Sequence, residues 1–138
     1  MRDDKHNVIV DKSVDFSLTI IKYCEVLEQD KKFVIARQLL RSSTSIGANI
    51  FEAQNAESKA DFMHKMAVAA KEASETLSWL ILCDRSEHYK FDKKHFDDLN
   101  EIIKILSKLI STSKGRIPGF MWQMIYLFSN FQILKLTH

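Results

Sequence analysis

The chain has 138 residues, enough for about one domain with a single sizeable core. Its composition is 46% hydrophobic and 28% charged, as in a soluble globular protein, and a formal net charge of +2 is too small to imply nucleic-acid binding by itself. It has 3 Gly and 1 Pro, and only Gly47 lies before position 115, which argues against all-β and α/β folds rich in tight turns.

The first predicted helix runs from about Asp11 or Ser13 to Gln29 and carries two apolar stripes. One stripe consists of Phe16, Ile20, Tyr23 and Leu27, and the other consists of Val14, Leu18 and Ile21. A bundle helix needs only one apolar face about 100° wide. The second stripe therefore predicts self-association through an additional apolar face, with an isolated bundle of unusually wide core as the alternative.

The second predicted helix runs from near Phe33 to near Ala56, after a polar turn at 28–32. Four consecutive hydroxyl residues at 42–45 and then Gly47 lie in its middle. A serine nucleophile needs a nearby base at a strained turn, and a phosphate loop needs several glycines, so the sequence favours neither. The small side chains instead predict a place where two helix backbones approach closely, with each hydroxyl bonded to a carbonyl one turn earlier.

Two polar residues lie beside the apolar stripe of this second helix. Asn49 is predicted to form a hydrogen bond across helices and so to fix their register. Glu52 is predicted to pair with Arg41, with Lys59 or with a neighbouring chain. We favour these structural interpretations over a ligand-binding role.

Local signals place the start of the third and fourth helices. Ser58 is predicted to cap the third helix, with Asp61 reaching back to the N–H of the cap as a shortened capping box. Asp92 is predicted to cap the fourth, with Phe91 and Phe96 as a hydrophobic staple. The fourth helix also has two stripes: Phe96, Leu99, Ile103, Leu106 and Ile110 form one, and Ile102, Ile105 and Leu109 form the other. The prediction for residues 1–114 is an all-α, antiparallel up-down-up-down four-helix bundle.

Residues 115–138 form an apolar tail that begins within the helix-breaking stretch KGRIPG at 114–119. The 18 residues from Ile117 to Leu134 carry no charge, which approaches the roughly 20 residues that span a bilayer. Pro118, Gly119 and several polar residues interrupt the run, and polar side chains are costly in hydrocarbon. We therefore interpret the tail as packed on the bundle or on a neighbouring subunit, with a membrane span or an accidental extension as alternatives.

Catalytic and metal chemistry find little support in the sequence. Cys24 and Cys83 occur singly in apolar patterns and are predicted to be reduced, buried thiols. Di-metal bundles use Glu-x-x-His pairs, whereas Asp precedes His64 and His95 at that spacing. No catalytic residue, metal site or cofactor is predicted. The charged N-terminus MRDDKHNVIVDKS is unlike a secretory signal, which predicts a cytoplasmic protein.

The segment from Lys31 to Lys71 has a mild basic bias, because its seven basic residues outnumber its three acidic ones. The two interpretations are a solvated charged face and a phosphate-binding strip whose field a ring-shaped oligomer would multiply. Aromatic residues that could stack on single-stranded bases are not interleaved in the strip. The predicted nucleic-acid contacts are Lys31, Lys32, Arg37, Arg41, Lys59 and Lys65.

The stretch from Leu39 to Leu80 resembles the signature of the 23S rRNA intervening-sequence protein family, also called four helix bundle proteins. The matching residues are Ser43, Ser45, Ile46, Ala48, Asn49, Ile50, Glu52, Ser58, Asp61 and Phe62. The resemblance covers about residues 11–114 and leaves out the tail. Many members have Gly where this chain has Ala53, and an Arg where it has Ala56 or Glu57, so a role tied to that Gly or Arg does not carry over.

The resemblance implies a four-helix bundle that assembles as a homopentameric ring. Some relatives are encoded inside inserts of ribosomal RNA genes, and a similar protein is the accessory factor of diversity-generating retroelements, a basic pentamer that binds nucleic acid and a reverse transcriptase. No enzymatic activity is implied. We therefore expect a non-enzymatic oligomeric scaffold for RNA, DNA or a nucleic-acid enzyme. The alternative is a protein–protein adaptor without nucleic-acid binding, and no membrane association is expected.

Overall fold

The computed structural model describes residues 7–113 and 118–136, with the side chains of 131–136 excepted. Over these ranges every regular secondary-structure element is an α-helix, which confirms the all-α prediction. The helices are α1 (Val8–Gln29), α2 (Phe33–Ala53), α3 (Lys59–Arg85), α4 (Lys94–Thr112) and α5 (Gly119–Leu136). The fifth helix lies in the segment for which the sequence predicts only an apolar tail.

Two predicted helix boundaries differ from the observed ones. α1 begins at Val8, before the predicted start at Asp11 or Ser13. α2 ends at Ala53 instead of near Ala56, because the next three residues continue through shorter turns. Their N–H groups donate to the carbonyl three residues earlier, as in the 3₁₀ pattern common at helix ends.

A positively charged residue ends α1 in a left-handed conformation. Lys31 has a φ of 62°, and its N–H donates to the Glu28 carbonyl at 2.9 Å. The N–H of Lys32 donates to the Leu27 carbonyl at 2.8 Å. These two bonds form a Schellman motif, in which the left-handed position is usually glycine.

The predicted caps of α3 and α4 are present with a change of partner in the first and of position in the second, since the N-cap position of α4 is Lys93 and Asp92 lies one residue before it. Ser58 Oγ accepts a hydrogen bond from the Asp61 N–H at 3.1 Å, as predicted. The Asp61 carboxylate, however, accepts from the N–H of Glu57 and not from that of Ser58. Asp92 Oδ1 accepts from the Lys94 N–H at 2.9 Å, so Asp92 does satisfy a donor in the first turn of α4. The predicted staple is also formed, since the rings of Phe91 and Phe96 lie 5.1 Å apart.

The pairs of helices that lie close together define the arrangement of the bundle. α1 contacts α2 and α4, α3 contacts α2 and α4, and α5 contacts α4 and α3. Ser42 meets Thr76 while Glu52 meets Lys65, so α2 and α3 run in opposite directions. The largest fully buried side chains lie between these helices: Ile20, Leu27, Leu39, Ile46, Ile50, Met66, Leu80, Leu99, Ile102, Ile103, Leu106 and Ile110. One core therefore serves the whole described chain.

The two apolar stripes of α1 have different environments. Phe16, Ile20, Tyr23 and Leu27 are buried in the core. The second stripe is exposed, at 48% for Val14, 54% for Leu18 and 37% for Ile21. On α4 the second stripe is covered within the chain, because Ile102 is buried and both Ile105 and Leu109 are half-buried against the core. The unpartnered apolar face that the sequence predicts therefore lies on α1.

α5 packs one of its sides on α3 and α4. Met121, Met124 and Phe128, spaced three and four residues apart, are buried on that side. Trp122 and Tyr126 are 60% and 66% exposed on another side. Searching the described helices for a stretch long and apolar enough to cross a bilayer finds none.

Candidate interaction surfaces

The hydroxyl cluster of α2 is engaged with its own helix. Ser43 Oγ donates to the Leu40 carbonyl at 3.2 Å, and Ser45 Oγ donates to the Arg41 carbonyl at 2.7 Å. Ser42 and Thr44 make equivalent bonds, and the hydroxyl oxygens of Ser42 and Thr76 lie 2.9 Å apart across the α2–α3 contact. The prediction of hydroxyl-to-carbonyl bonds is confirmed. These groups shape a packed helix and are not arranged around a base.

The two polar residues beside the stripe have partners that the sequence did not indicate. Asn49 Nδ2 donates to the Ser45 carbonyl of its own helix at 2.8 Å, so the predicted bond across helices is wrong within one chain. Glu52 pairs with Lys65 at 2.6 Å, and not with Arg41 or Lys59. The Glu52 carboxylate raises the pKa of the Lys65 ammonium through this hydrogen bond. Both side chains are therefore held by neighbours within the same chain.

The small residues of the motif border a groove between α1 and α2. A Cβ placed on Gly47 would lie 3.5 Å from the hydroxyl oxygens of both Ser13 and Ser17, which is ordinary van der Waals contact. The groove has a volume of about 460 Å³, and its lining residues are Ser13, Val14, Ser17, Leu18, Thr44, Gly47, Ala48, Phe51 and Glu52. Most of this lining is apolar. We call this feature the α1–α2 groove.

The ten signature residues divide among three structural positions. Ser43, Ile46 and Ile50 are buried in the core beneath the groove. Ala48, Ser45, Asn49 and Glu52 lie on the outer half of α2, with Ala48 and Glu52 in the groove itself. Ser58, Asp61 and Phe62 build the start of α3. The signature therefore specifies the α1–α2–α3 packing and the groove.

The predicted basic strip is divided in the structure. Arg41 is paired with Glu72 at 3.5 Å and with Glu75, both on α3, and Lys65 is paired with Glu52. The pairing of α2 with α3 places Lys59 roughly 30 Å along the bundle from Arg37 at 1.5 Å per residue. The six predicted contact residues therefore do not form one continuous strip in the single chain, because carboxylates of α3 pair with Arg41 and a carboxylate of α2 pairs with Lys65.

Lys31, Lys32 and Arg37 instead belong to one end of the bundle, where the α3–α4 loop joins them. Lys32 Nζ lies 5.1 Å from the centre of the Tyr89 ring, and Lys90 Nζ lies 3.5 Å from Asp30. In residues 28–37 and 84–94 seven basic side chains outnumber five acidic ones. We call these two segments the loop end.

Three exposed lysines of the loop end were missed by the sequence reasoning, namely Lys90, Lys93 and Lys94. The signal for them was available, because successive turns of an up-down bundle alternate between its ends. The α1–α2 turn and the α3–α4 loop therefore had to share an end.

A buried cluster lies beneath the loop end and has a structural role. Tyr23 Oη donates to the Lys90 carbonyl at 2.7 Å, and the Tyr23 and His95 ring centres lie 4.8 Å apart. Burial raises the pKa of Cys24 to about 12 and also raises that of Cys83. The thiolate is the reactive form of cysteine, and a raised pKa keeps both thiols protonated. The two free cysteines are buried, as predicted, and pack as small apolar groups. In 7–113 and 118–130 no group of three or more His, Cys, Asp or Glu side chains is placed to hold a metal ion.

Comparison with solved structures finds a related bundle. A crystal structure from Bacteroides thetaiotaomicron VPI-5482, described as a protein with unknown function from the S23 ribosomal protein family, is 43% identical to this chain with a TM-score of 0.71. The match covers 75% of this chain and 98% of that one. No curated protein matches the chain.

The family comparison covers most of the bundle. The model of the 23S rRNA-intervening sequence protein family matches residues 5–112, which includes the signature, the α1–α2 groove and the loop end and stops before α5. Together with the solved relative, this match bears out the resemblance in the sequence. The chain belongs to the 23S rRNA-intervening sequence protein family.

Proposed function

We propose that the chain is a non-enzymatic scaffold whose first four helices form an up-down-up-down bundle that assembles into a ring-like cytoplasmic oligomer and binds RNA or DNA. The observation that carries the proposal is the exposed stripe of α1. Val14 and Leu18 are about half exposed, although the opposite stripe of the same helix is core. Soluble monomers rarely leave a contiguous apolar face of this kind open, and such faces mark interaction sites.

The loop end is the surface that we assign to nucleic acid. Its excess of two positive charges per chain is small, but a ring repeats it around one rim and sums the field. Among the described residues no carboxylate lies within ion-pair distance of Lys31, Arg37 or Lys93.

A charge-reversal experiment tests this assignment. Lys31→Glu with Lys93→Glu should weaken binding to a duplex RNA or DNA on the order of tenfold at low salt. It should also reduce the slope of log K against log salt by about two, since each lost phosphate contact removes about one. The matched control is Lys104→Glu with Lys108→Glu, which makes the same change in net charge on exposed positions of α4.

Two results would contradict the proposal. Equal weakening by both pairs of substitutions would show a general charge effect with no site at the loop end. Wild-type protein that does not bind at low ionic strength would remove the nucleic-acid function altogether. An intact oligomer without such binding would leave the adaptor alternative, which the exposed Trp122 and Tyr126 of α5 favour as contact residues for a protein.

A further inference from the structure

We propose that α5 of one chain docks into the α1–α2 groove of a neighbouring copy, so that the assembly is held head to tail. This inference rests on the self-association proposed above and specifies the two surfaces that meet. The donor surface is the exposed pair Trp122 and Tyr126, which we call the α5 aromatic pair. The acceptor is the α1–α2 groove defined above.

The α5 aromatic pair is built like an interface anchor. Trp122 and Tyr126 are one helical turn apart and are 60% and 66% exposed, while Met121 and Met124 hold the helix to the bundle. The chain carries no charge from Pro118 to Asn130, so binding this surface requires no ion to be desolvated. At roughly 200 Å² for each aromatic side chain the pair exposes about 250 Å². This is about a third of the 800 Å² per partner in a standard interface, and it is of the residue types that dominate binding energy.

The α1–α2 groove has a complementary shape and chemistry. Its walls are Val14, Leu18 and Phe51, which are 48%, 54% and 62% exposed in the single chain. The base of the groove is formed by small residues, including Gly47 and Ala48. The volume of the groove is about 460 Å³. An apolar groove with a low floor receives bulky flat side chains, which the α5 aromatic pair supplies.

The polar atoms of the groove also match an indole or phenol. Ser13 Oγ donates to the Val10 carbonyl at 2.8 Å, and Thr44 Oγ1 donates to the Leu40 carbonyl at 2.7 Å. Both hydroxyls have therefore used their hydrogen and can only accept further bonds. The Trp122 indole N–H can only donate, and the Tyr126 hydroxyl can donate. The groove hydroxyls can therefore accept the hydrogen bonds that the α5 aromatic pair can donate.

The two surfaces cannot meet within one chain. Over the part of the chain that the structure describes, α5 contacts α3 and α4 and makes no contact with α1 or α2. The pairing must therefore be between copies and heterologous, which produces a closed ring or an open filament. The family match ends at residue 112, before α5, so the contact is specific to chains that carry this helix.

A mixing experiment tests the head-to-tail contact. One variant carries Trp122→Glu and Tyr126→Glu, and the other carries Leu18→Glu and Phe51→Glu. All four positions are exposed in the single chain, so both variants should fold, which circular dichroism and thermal melting verify. Val34→Glu, at a position that is 75% exposed and outside the groove, is the matched control. Sedimentation velocity then gives the mass of each protein alone and of the two variants mixed.

The expected result is an oligomer for wild type and for the control, and a monomer of 16.0 kDa for each variant alone. The mixture should form a heterodimer of twice that mass, because one intact groove meets one intact aromatic pair. In wild type, assembly should also shift the emission of Trp122 to shorter wavelength as the concentration rises.

Other outcomes overturn the inference in distinguishable ways. If the α5 variant keeps the wild-type mass, or if the mixture stays monomeric, the groove binds something else and the inference fails while self-association stands. If wild type itself is a monomer at high concentration, the proposed scaffold function fails together with the inference.

Discussion

Gly47→Ala is expected to have opposite effects on the single chain and on the assembly. Gly47 lies in the middle of α2 with no positive φ, so its backbone conformation does not require glycine. Glycine inside a helix costs about 1 kcal/mol relative to alanine. The added Cβ would sit 3.5 Å from Ser13 Oγ and Ser17 Oγ, which is a comfortable distance. The free energy of unfolding of the single chain should therefore rise by about 1 kcal/mol.

In the assembly the same methyl group raises the floor of the α1–α2 groove. If the α5 aromatic pair occupies that groove, the added carbon overpacks the contact, and overpacking costs about 1–3 kcal/mol. The concentration at which the oligomer dissociates should rise roughly tenfold, since 1.4 kcal/mol corresponds to a factor of ten. Glycine at position 47 would therefore favour assembly and not the stability of the single chain.

Two measurements separate these effects. Thermal unfolding followed by far-UV circular dichroism, in the Trp122→Glu and Tyr126→Glu background, reports the single chain, where Tm should rise by about 4 °C. Dilution followed by sedimentation velocity, in an otherwise wild-type chain, reports the assembly. Gly119→Ala is the control, because no atom lies within 4 Å of a Cβ added at that exposed position. A lower free energy of unfolding for Gly47→Ala in the monomeric background would refute the reasoning. It would mean that α1 and α2 can pack together only when position 47 has no Cβ.

Two further predictions concern the loop end and the cluster beneath it. Lys31→Gly should increase the free energy of unfolding by about 1 kcal/mol in urea denaturation, because glycine accepts the φ of 62° without strain, whereas Lys31→Ala should give no gain. A loss of stability in the glycine variant would contradict the left-handed assignment. His95 is buried between aromatic rings, and burial lowers its pKa below the ordinary 6.5. The unfolded chain then binds the proton more readily, so stability should be full above about pH 6.5 and fall as the pH decreases towards the lowered pKa. Thermal melts of wild type and His95→Phe across this range should diverge below pH 6.5, and parallel curves would show that His95 is not the titrating group.

Much of the helical structure is predictable because its causes are local. The caps at Ser58 and Asp92 follow from side chains that satisfy the free N–H groups of the next turn. The two stripes of α1 follow from the helical period, and Leu18 proves exposed on one while Ile20 is buried on the other. Periodicity reports which faces are apolar, and the second apolar face of α1 is the one that the core leaves exposed.

The ion pairs could not be predicted because they depend on the rotation and register of neighbouring helices. Glu52 was matched to Arg41 or Lys59 by proximity in sequence, whereas the α2–α3 register places it beside Lys65. Arg41 meets Glu75, a residue that the sequence reasoning left out of the basic strip. A shift of one residue along a helix turns a side chain by about 100°, so small errors of phase change the partner.

The tail shows a different limit of sequence reasoning. Apolar residues occur around the whole circumference of α5, so the helical period does not indicate which face is buried. The contact with α3 and α4 makes Met121 and Phe128 the inner side and leaves Trp122 outside. Only the tertiary packing distinguishes the two methionines that hold the helix from the aromatic pair that is free to bind.

The positions of the groove and of the loop end allow assembly and nucleic-acid binding in the same molecule. On α1 the groove residues lie between Ser13 and Leu18, and the loop end begins at Glu28. Ten residues of helix separate Leu18 from Glu28, which is about 15 Å at the rise of 1.5 Å per residue. Side chains that fill the groove would therefore not reach Lys31 or Lys32 directly. In a closed ring every copy has the same orientation about the axis, so all loop ends share one rim and their charges add at the surface assigned to the phosphates.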